Sequence, residues 1–262
     1  MPFTISHAAA MWPLQRSRLE MSALIIGCFS PDFAYFFFFG PYGHFAHTIK
    51  GAFVLDLPLC LIVYLLFHAF IKQPFTMLLP RGFRARIEPK AMGFSFWPLS
   101  RIALIVLSIL IGIGTHILWD SFTHQFYWPY RHLSFLSDPG YFPIQGQVPT
   151  YKALQNWSSI FGLVVVALWI AVWYRSTTPR PLPATEPYSP RPARVIRFVV
   201  PALAFMFALL LAFANDGIPH IEFRSMLHFW LSAGIATITF LGVGLLICGV
   251  IFRPRIASEV RA

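Results

Sequence analysis

The chain has 262 residues, of which 57% are hydrophobic and only 11% charged. Soluble domains carry roughly 25% charged residues, so this composition, with a mean hydropathy of +0.64, excludes a soluble globular protein. The net charge of +10 does not mark a nucleic-acid binder, because the basic residues fall in short stretches between apolar runs, as topology signals do.

Six apolar segments are long enough to cross about 30 Å of hydrocarbon. They cover residues 19–39, 51–71, 101–121, 158–174, 195–214 and 229–252. The expected fold class is all-α, a polytopic integral membrane helical bundle of about six transmembrane helices with the lipid bilayer as its partner. The opening MPFTISHAAAMWPL lacks a basic start and does not read as a cleaved signal peptide. Ser30-Pro31-Asp32 interrupts the first segment and predicts a kink or break there. After the second segment, residues 72–100 mix Arg with Phe, Met and Leu, which suits an interfacial stretch on anionic lipid. The fourth segment is the shortest, and Tyr151, Lys152, Gln155 and Asn156 stand before it as a solvated helix start or a headgroup contact. Residues 179–192 contain six prolines and predict an extended linker. Three regions follow: a metal-site membrane domain over 1–175, a Pro-rich cytoplasmic linker over 176–194, and a two-span tail over 195–262.

With a cytoplasmic N-terminus and alternating spans, sixteen of the twenty Lys and Arg residues face the cytoplasm, a strong positive-inside bias. Both termini are then cytoplasmic, and the expected location is a bacterial inner (plasma) membrane. Aromatic clusters at Phe36–Phe39 with Tyr42, at Phe126–Trp128 with Tyr130, and at Trp157 suit the interfacial belts. Cys28, Cys60 and Cys248 sit inside apolar segments at no metal-ligand spacing and read as small core residues.

The third segment ends GIGTHILWDSFTHQ. His116, Asp120 and His124 are spaced by four and share one helical face. An Asp in a membrane helix costs on the order of 2.5–3.5 kcal/mol at the centre and less near the end, and a bound cation offsets that cost. Asp32, His44, His47 and Asp56 fall on the same side of the bilayer, near the outer leaflet. Histidine and aspartate without thiolate form a nitrogen and oxygen donor set suited to zinc, and also to iron or manganese. Two other arrangements fit the same residues: a structural polar network between helices and a proton or ion relay. Asp56 is equally a cap, an interhelical bond or a ligand. His68 reads as structural, and His132, His220 and His228 as surface or interfacial residues. No nucleophilic Ser or Cys motif is present.

The segments MPFTISHAAA, SPDF, HTIKGAFVLDLP and GTHILWDSFTH resemble a bacterial family of uncharacterised multi-spanning membrane proteins. That family is similar to the inner-membrane metal-dependent hydrolases and, more remotely, to the helical zinc-dependent phospholipase C enzymes. The resemblance covers roughly residues 1–160. It implies metal ligation by His7, Asp32, His47, His116 and Asp120, with Asp120 able to bridge two ions and His124 an added candidate. The implied cofactor is zinc, as one or two divalent ions, because the further ligands of a three-zinc centre are not evident. A re-entrant hairpin, with residues 5–14 dipping into the bilayer and turning at 15–18, would bring His7 toward Asp32. The expected function is a membrane-embedded metal-dependent hydrolase acting on a phosphoester or lipid-type substrate, with Asp120 and His124 as catalytic groups. The alternatives are a proton- or ion-coupled transporter and a non-catalytic metal-binding scaffold.

Overall fold

The structure is a computed structural model that describes residues 3–38, 44–87, 97–125, 127–143, 145–182, 187–217, 219 and 223–252. Phe39, Tyr42, Phe126 and His220, and parts of the 72–100 and 179–192 stretches, lie outside the described residues. The fold is helical. Among the described residues, five helices are long and apolar enough to cross a membrane, over Ile49–Leu78, Leu99–His132, Thr150–Ser176, Pro190–Asn215 and His228–Ile251. The first expected segment is the shorter apolar helix Met21–Phe37. It is divided as the sequence predicts: α1 (Met21–Phe29), a 3-10 turn at Ser30–Asp32, then α2 (Phe33–Phe38). Pro31 cannot donate into the α-helical ladder, so the chain tightens locally.

The remaining helices are labelled α3 (Ile49–Leu78), α4 (Leu99–Thr123), α5 (Thr150–Ser176), α6 (Val200–Asp216) and α7 (Phe223–Ile251). The fourth segment is not the shortest: α5 has 27 residues. Its polar opening, Tyr151 to Asn156, is helical too and extends the helix beyond the apolar window. The proline-rich stretch is also less extended than expected, because a helical turn forms at Pro190–Arg194. Proline is tolerated in a first helical turn, where its missing N–H has no partner to lose. A short hairpin, β1 (Pro139–Phe142) with β2 (Gly146–Pro149), precedes α5, with Pro139 opposite Pro149 and Phe142 opposite Gly146.

Contacts divide the chain into two compact units. The first comprises Met1–Phe33, Gly43–Tyr64 and Phe96–Ser176. Its frame is the crossing of α1 and α4. A Cβ at Gly27 would overlap the Ile109 carbonyl oxygen, and one at Gly112 would overlap that of Leu24. In lipid, apolar burial gives no transfer advantage, so close backbone approach and polar bonds hold helices together. A thirteen-residue 3-10 helix, Thr4–Arg16, then folds back beside α1 and along α5. Its start is tied by the Phe3 N–H donating to Ser159 Oγ at 3.0 Å, and its end by Trp169 Nε1 donating to Gln15 Oε1 at 2.8 Å. Between these, Ser6 sits so close to Gly162 that a Cβ there would lie 2.6 Å from the Ser6 carbonyl oxygen. Met11, Leu24 and Cys28 form the buried seam, with Leu14, Ile111 and Trp169 packed against it.

The second unit comprises Ala34–Tyr42, Leu65–Ser95 and Thr177–Ala262. In it α6 and α7 pair through small residues, with Ala204, Ala208 and Ala212 buried on one and Ala233 and Ala236 on the other. Thr239 Oγ1 donates to the Phe36 carbonyl at 3.0 Å. A separate apolar cluster joins Met77, Tyr188, Ile196, Val200, Leu245 and Cys248. Cys28, Cys60 and Cys248 are all free and buried, as their apolar settings imply.

Candidate metal centre

Four side chains from three places in the sequence meet inside the first unit. Asp32, His47, His116 and Asp120 each offer a ligand atom, these atoms lie within 4.8 Å of one another, and all four residues are buried. Local structure accounts for each position. Asp32 ends the 3-10 turn that Pro31 imposes. His47 precedes Thr48, which caps the start of α3: Thr48 Oγ1 accepts from the Gly51 N–H at 2.9 Å and donates to the Phe45 carbonyl at 2.8 Å. Gly51 is required there, because a Cβ would overlap the Phe45 carbonyl oxygen. His116 lies one turn beyond Gly112 on α4. The close α1–α4 approach therefore delivers the Cys28 carbonyl to His116, whose Nδ1 donates to it at 2.7 Å.

That bond fixes the tautomer. With the proton on Nδ1, the Nε2 lone pair of His116 points at two carboxylates, 3.5 Å from Asp120 Oδ2 and 3.7 Å from Asp32 Oδ1. His47 Nε2 lies 3.4 Å from Asp120 Oδ2 and 3.5 Å from Asp32 Oδ1. These separations exceed the roughly 2.7–2.9 Å of a charge-assisted hydrogen bond. Donor atoms bound at about 2.0–2.1 Å around a tetrahedral ion stand about 3.3–3.4 Å apart, close to what is seen. Among the described residues, the buried atoms His116 Nε2, Asp32 Oδ1 and both carboxylate oxygens of Asp120 have no hydrogen-bond partner. Buried carboxylates persist only when paired with positive charge, and a divalent cation neutralises two of them. The residues present therefore fit a metal ion, and the imidazole–carbonyl bond is the outer support that metal-binding histidines use.

His7 joins the group from the N-terminal 3-10 helix. Its Nε2 is 3.5 Å from Asp120 Oδ1, and its ring stacks on His116 with centroids 3.9 Å apart. A 3-10 helix repeats every three residues, so Thr4 shares this face, and Thr4 Oγ1 donates to Asp32 Oδ2 at 2.6 Å. His124 follows the last turn of α4 at the edge of the cluster. Its Nδ1 donates to the Asp120 carbonyl at 3.0 Å and lies 3.7 Å from Asp120 Oδ2. Gln155, buried at the start of α5, donates to the Thr123 carbonyl at 3.4 Å and has its amide nitrogen 3.5 Å from His124 Nε2.

The remaining candidates lie elsewhere. His44 is exposed and outside the group. His68 contacts Lys72 and meets Phe67 edge-on. His132 bonds the Trp128 carbonyl and stacks on that indole, and His228 is exposed. Asp56, by contrast, borders the group: it is 1% exposed, interacts electrostatically with His47 and His116, and among the described residues neither of its carboxylate oxygens has a hydrogen-bond partner. Sequence reasoning missed Thr4 and the Cys28 carbonyl, and read Gln155 as a solvated helix start or headgroup contact where it is buried beside Thr123 and His124. Thr4 and His7 at a spacing of three were the available signal, hidden because α-helical spacing was assumed.

Neither a curated protein nor a solved structure matches the chain at a significant level. A protein-family profile, Domain of unknown function (DUF4184), matches residues 1–251 and so takes in the 3-10 helix, the cluster and all five long helices. The chain therefore belongs to the DUF4184 family.

Proposed function

We propose that this membrane protein is a metal-dependent hydrolase, with its centre in the outer half of a bacterial inner membrane and a phosphoester or lipid-type compound as substrate. The observation that carries the proposal is the convergence of Asp32, His47, His116 and Asp120 within 4.8 Å, all four buried. Those four residues hold the ion, zinc by donor chemistry. When bound, zinc supplies a water with a pKa near 7 and polarises a phosphoryl or carbonyl oxygen. His7 faces the second oxygen of Asp120 and is positioned for a second ion or for the reacting group. His124 keeps its proton on Nδ1 against the Asp120 carbonyl, which leaves Nε2 as the basic atom at the edge of the site. This is the arrangement of a general base that receives a proton from water and returns it to a leaving group. The reaction class rests further on the resemblance of the sequence motifs to inner-membrane hydrolases and zinc phospholipases, an analogy.

Metal analysis with an esterase assay tests it. The purified protein is expected to carry zinc in stoichiometric amount and to cleave phosphoester lipids, and His116→Ala and Asp120→Ala lose both. Zinc without turnover on any ester would leave a scaffold. A second reading, proton or cation movement, draws on the buried and unpartnered carboxylate of Asp56. Uptake that depends on Asp56 and Asp120, in a protein free of metal, would favour it.

A further inference from the structure

Beside the centre runs an apolar trough. A cleft of about 330 Å³ opens between the 3-10 helix, α4 and α5, floored by Ala9 and Ala10 and walled by Leu118, Trp119 and Phe161. This volume falls in the range of small-molecule sites, about 300–1,000 Å³. At one end its lining includes His7, whose Nε2 is 3.5 Å from Asp120. At the other it continues into a second cavity of about 580 Å³ that shares Ala9, Ala10 and Phe161 and ends at Gln15 and Arg16. From His7 to Arg16 the 3-10 helix advances about 2.0 Å per residue, or about 18 Å. One leaflet of a bilayer is about 15 Å of hydrocarbon deep. The trough is thus as long as a lipid chain and ends at the candidate metal centre.

A cation, Lys152, opens α5 near the trough's polar end, lining neither cavity itself but tied to the site through Gln155. Along α5 the residues Lys152, Gln155, Ser158 and Phe161 follow at spacings of three, each step turning about 60° around the helix axis. They grade from an exposed cation, through a buried amide and a hydroxyl, to an exposed aromatic ring. The Lys152 ammonium donates to Gln155 Oε1, and the Gln155 amide reaches His124 Nε2 at 3.5 Å. Ser158 and Phe161 both line the cleft. Charge, then hydrogen-bonding groups, then an apolar channel is the profile of an amphiphile with an anionic head.

Building on the hydrolase reading, we propose that the substrate is an anionic membrane phospholipid. Its acyl chain lies in the trough over Ala9 and Ala10, and its phosphate stands at the His7–Asp120 end within reach of Lys152.

The test uses the full-length protein in phosphatidylcholine vesicles doped with phosphatidylglycerol that carries a diazirine in one acyl chain. Irradiation is expected to label the peptides containing Ala9–Ala10 and Leu118–Trp119. In Ala10→Phe, labelling there falls about tenfold, the order of an overfilled site, with metal content unchanged. Phe161→Ala, at an exposed wall, lowers it as well and guards against a folding artefact. Lys152→Glu lowers labelling by the phosphatidylglycerol probe but not by the matching phosphatidylcholine probe. Labels spread evenly over the helices and indifferent to Ala10→Phe would overturn the proposal. Trough labelling without hydrolysis of any phosphoester would keep the lipid site and remove the hydrolase. Cleavage of a short-chain soluble phosphoester together with even labelling would do the reverse.

Discussion

At the scale of single residues, the centre depends on groups that bind nothing themselves. The Cys28 carbonyl orients His116, and the Thr4 hydroxyl orients Asp32 from the far oxygen. Removing such an outer partner typically lowers metal affinity about 10–100-fold. Thr4→Val keeps the size and deletes the donor. It is expected to weaken zinc binding by that factor in a chelator competition, with helicity and melting temperature close to wild type. Unchanged affinity would show that the Thr4 bond contributes only to packing. The site was legible in proportion to its local spacing. His116, Asp120 and His124 announce themselves because four residues make one turn of an α-helix. Asp32 is conspicuous beside a proline in an apolar run. His7 was reached through resemblance alone, since its helix repeats every three residues, and Thr4 was missed for the same reason. A backbone carbonyl such as that of Cys28 leaves no trace in a sequence.

At the scale of elements, the α1–α4 crossing sets the site. Gly112 touches the backbone of α1, whereas Gly114, two residues on, has nothing within 4 Å of the position a Cβ would take. The two glycines make a matched pair. Gly112→Leu forces the helices apart, costs about 1–3 kcal/mol or more from overpacking, and pulls the Cys28 carbonyl away from His116. Thermal melting in detergent should drop and metal should be lost. Gly114→Ala should retain the metal and melt within about 1 kcal/mol of wild type, since alanine favours a helix interior. The break at Ser30–Asp32 could be read from Pro31 because proline acts through local covalent geometry. The true length of α5 could not be read from hydropathy, since its first turns are polar yet helical. There the preceding hairpin and the contacts to Thr123 and Phe3 decide, and these are tertiary.

At the scale of the whole molecule, apolar content and helical period specify a membrane protein, and five long helices bear this out. On α4, Arg101 and Asp120 stand about 28 Å apart at 1.5 Å per residue, nearly the hydrocarbon thickness. Basic residues gather at the Arg101 end of the first unit, with Arg16 and Arg175 at the ends of their own helices. The positive-inside rule predicts that this end is cytoplasmic, with the Asp32–Asp120 cluster toward the other face. Cysteine labelling in intact cells checks this. Lys152→Cys should react with a membrane-impermeant maleimide added outside, and Arg175→Cys only after permeabilisation. The three native cysteines are buried and should give little background. The opposite pattern would invert the orientation and place the chemistry on the cytoplasmic side.

The amino-terminal strap has a consequence for biogenesis. Its histidine is made early by the ribosome, yet the aspartate it faces is made only when the fourth labelled helix is nearly finished. Until that helix inserts, the strap has only α1 to pack on and the pocket lacks the wall that Leu118 and Trp119 supply. Assembly must therefore pass through an inserted, open species, and the four-residue cluster is completed only when the last of its ligand groups arrives on that helix.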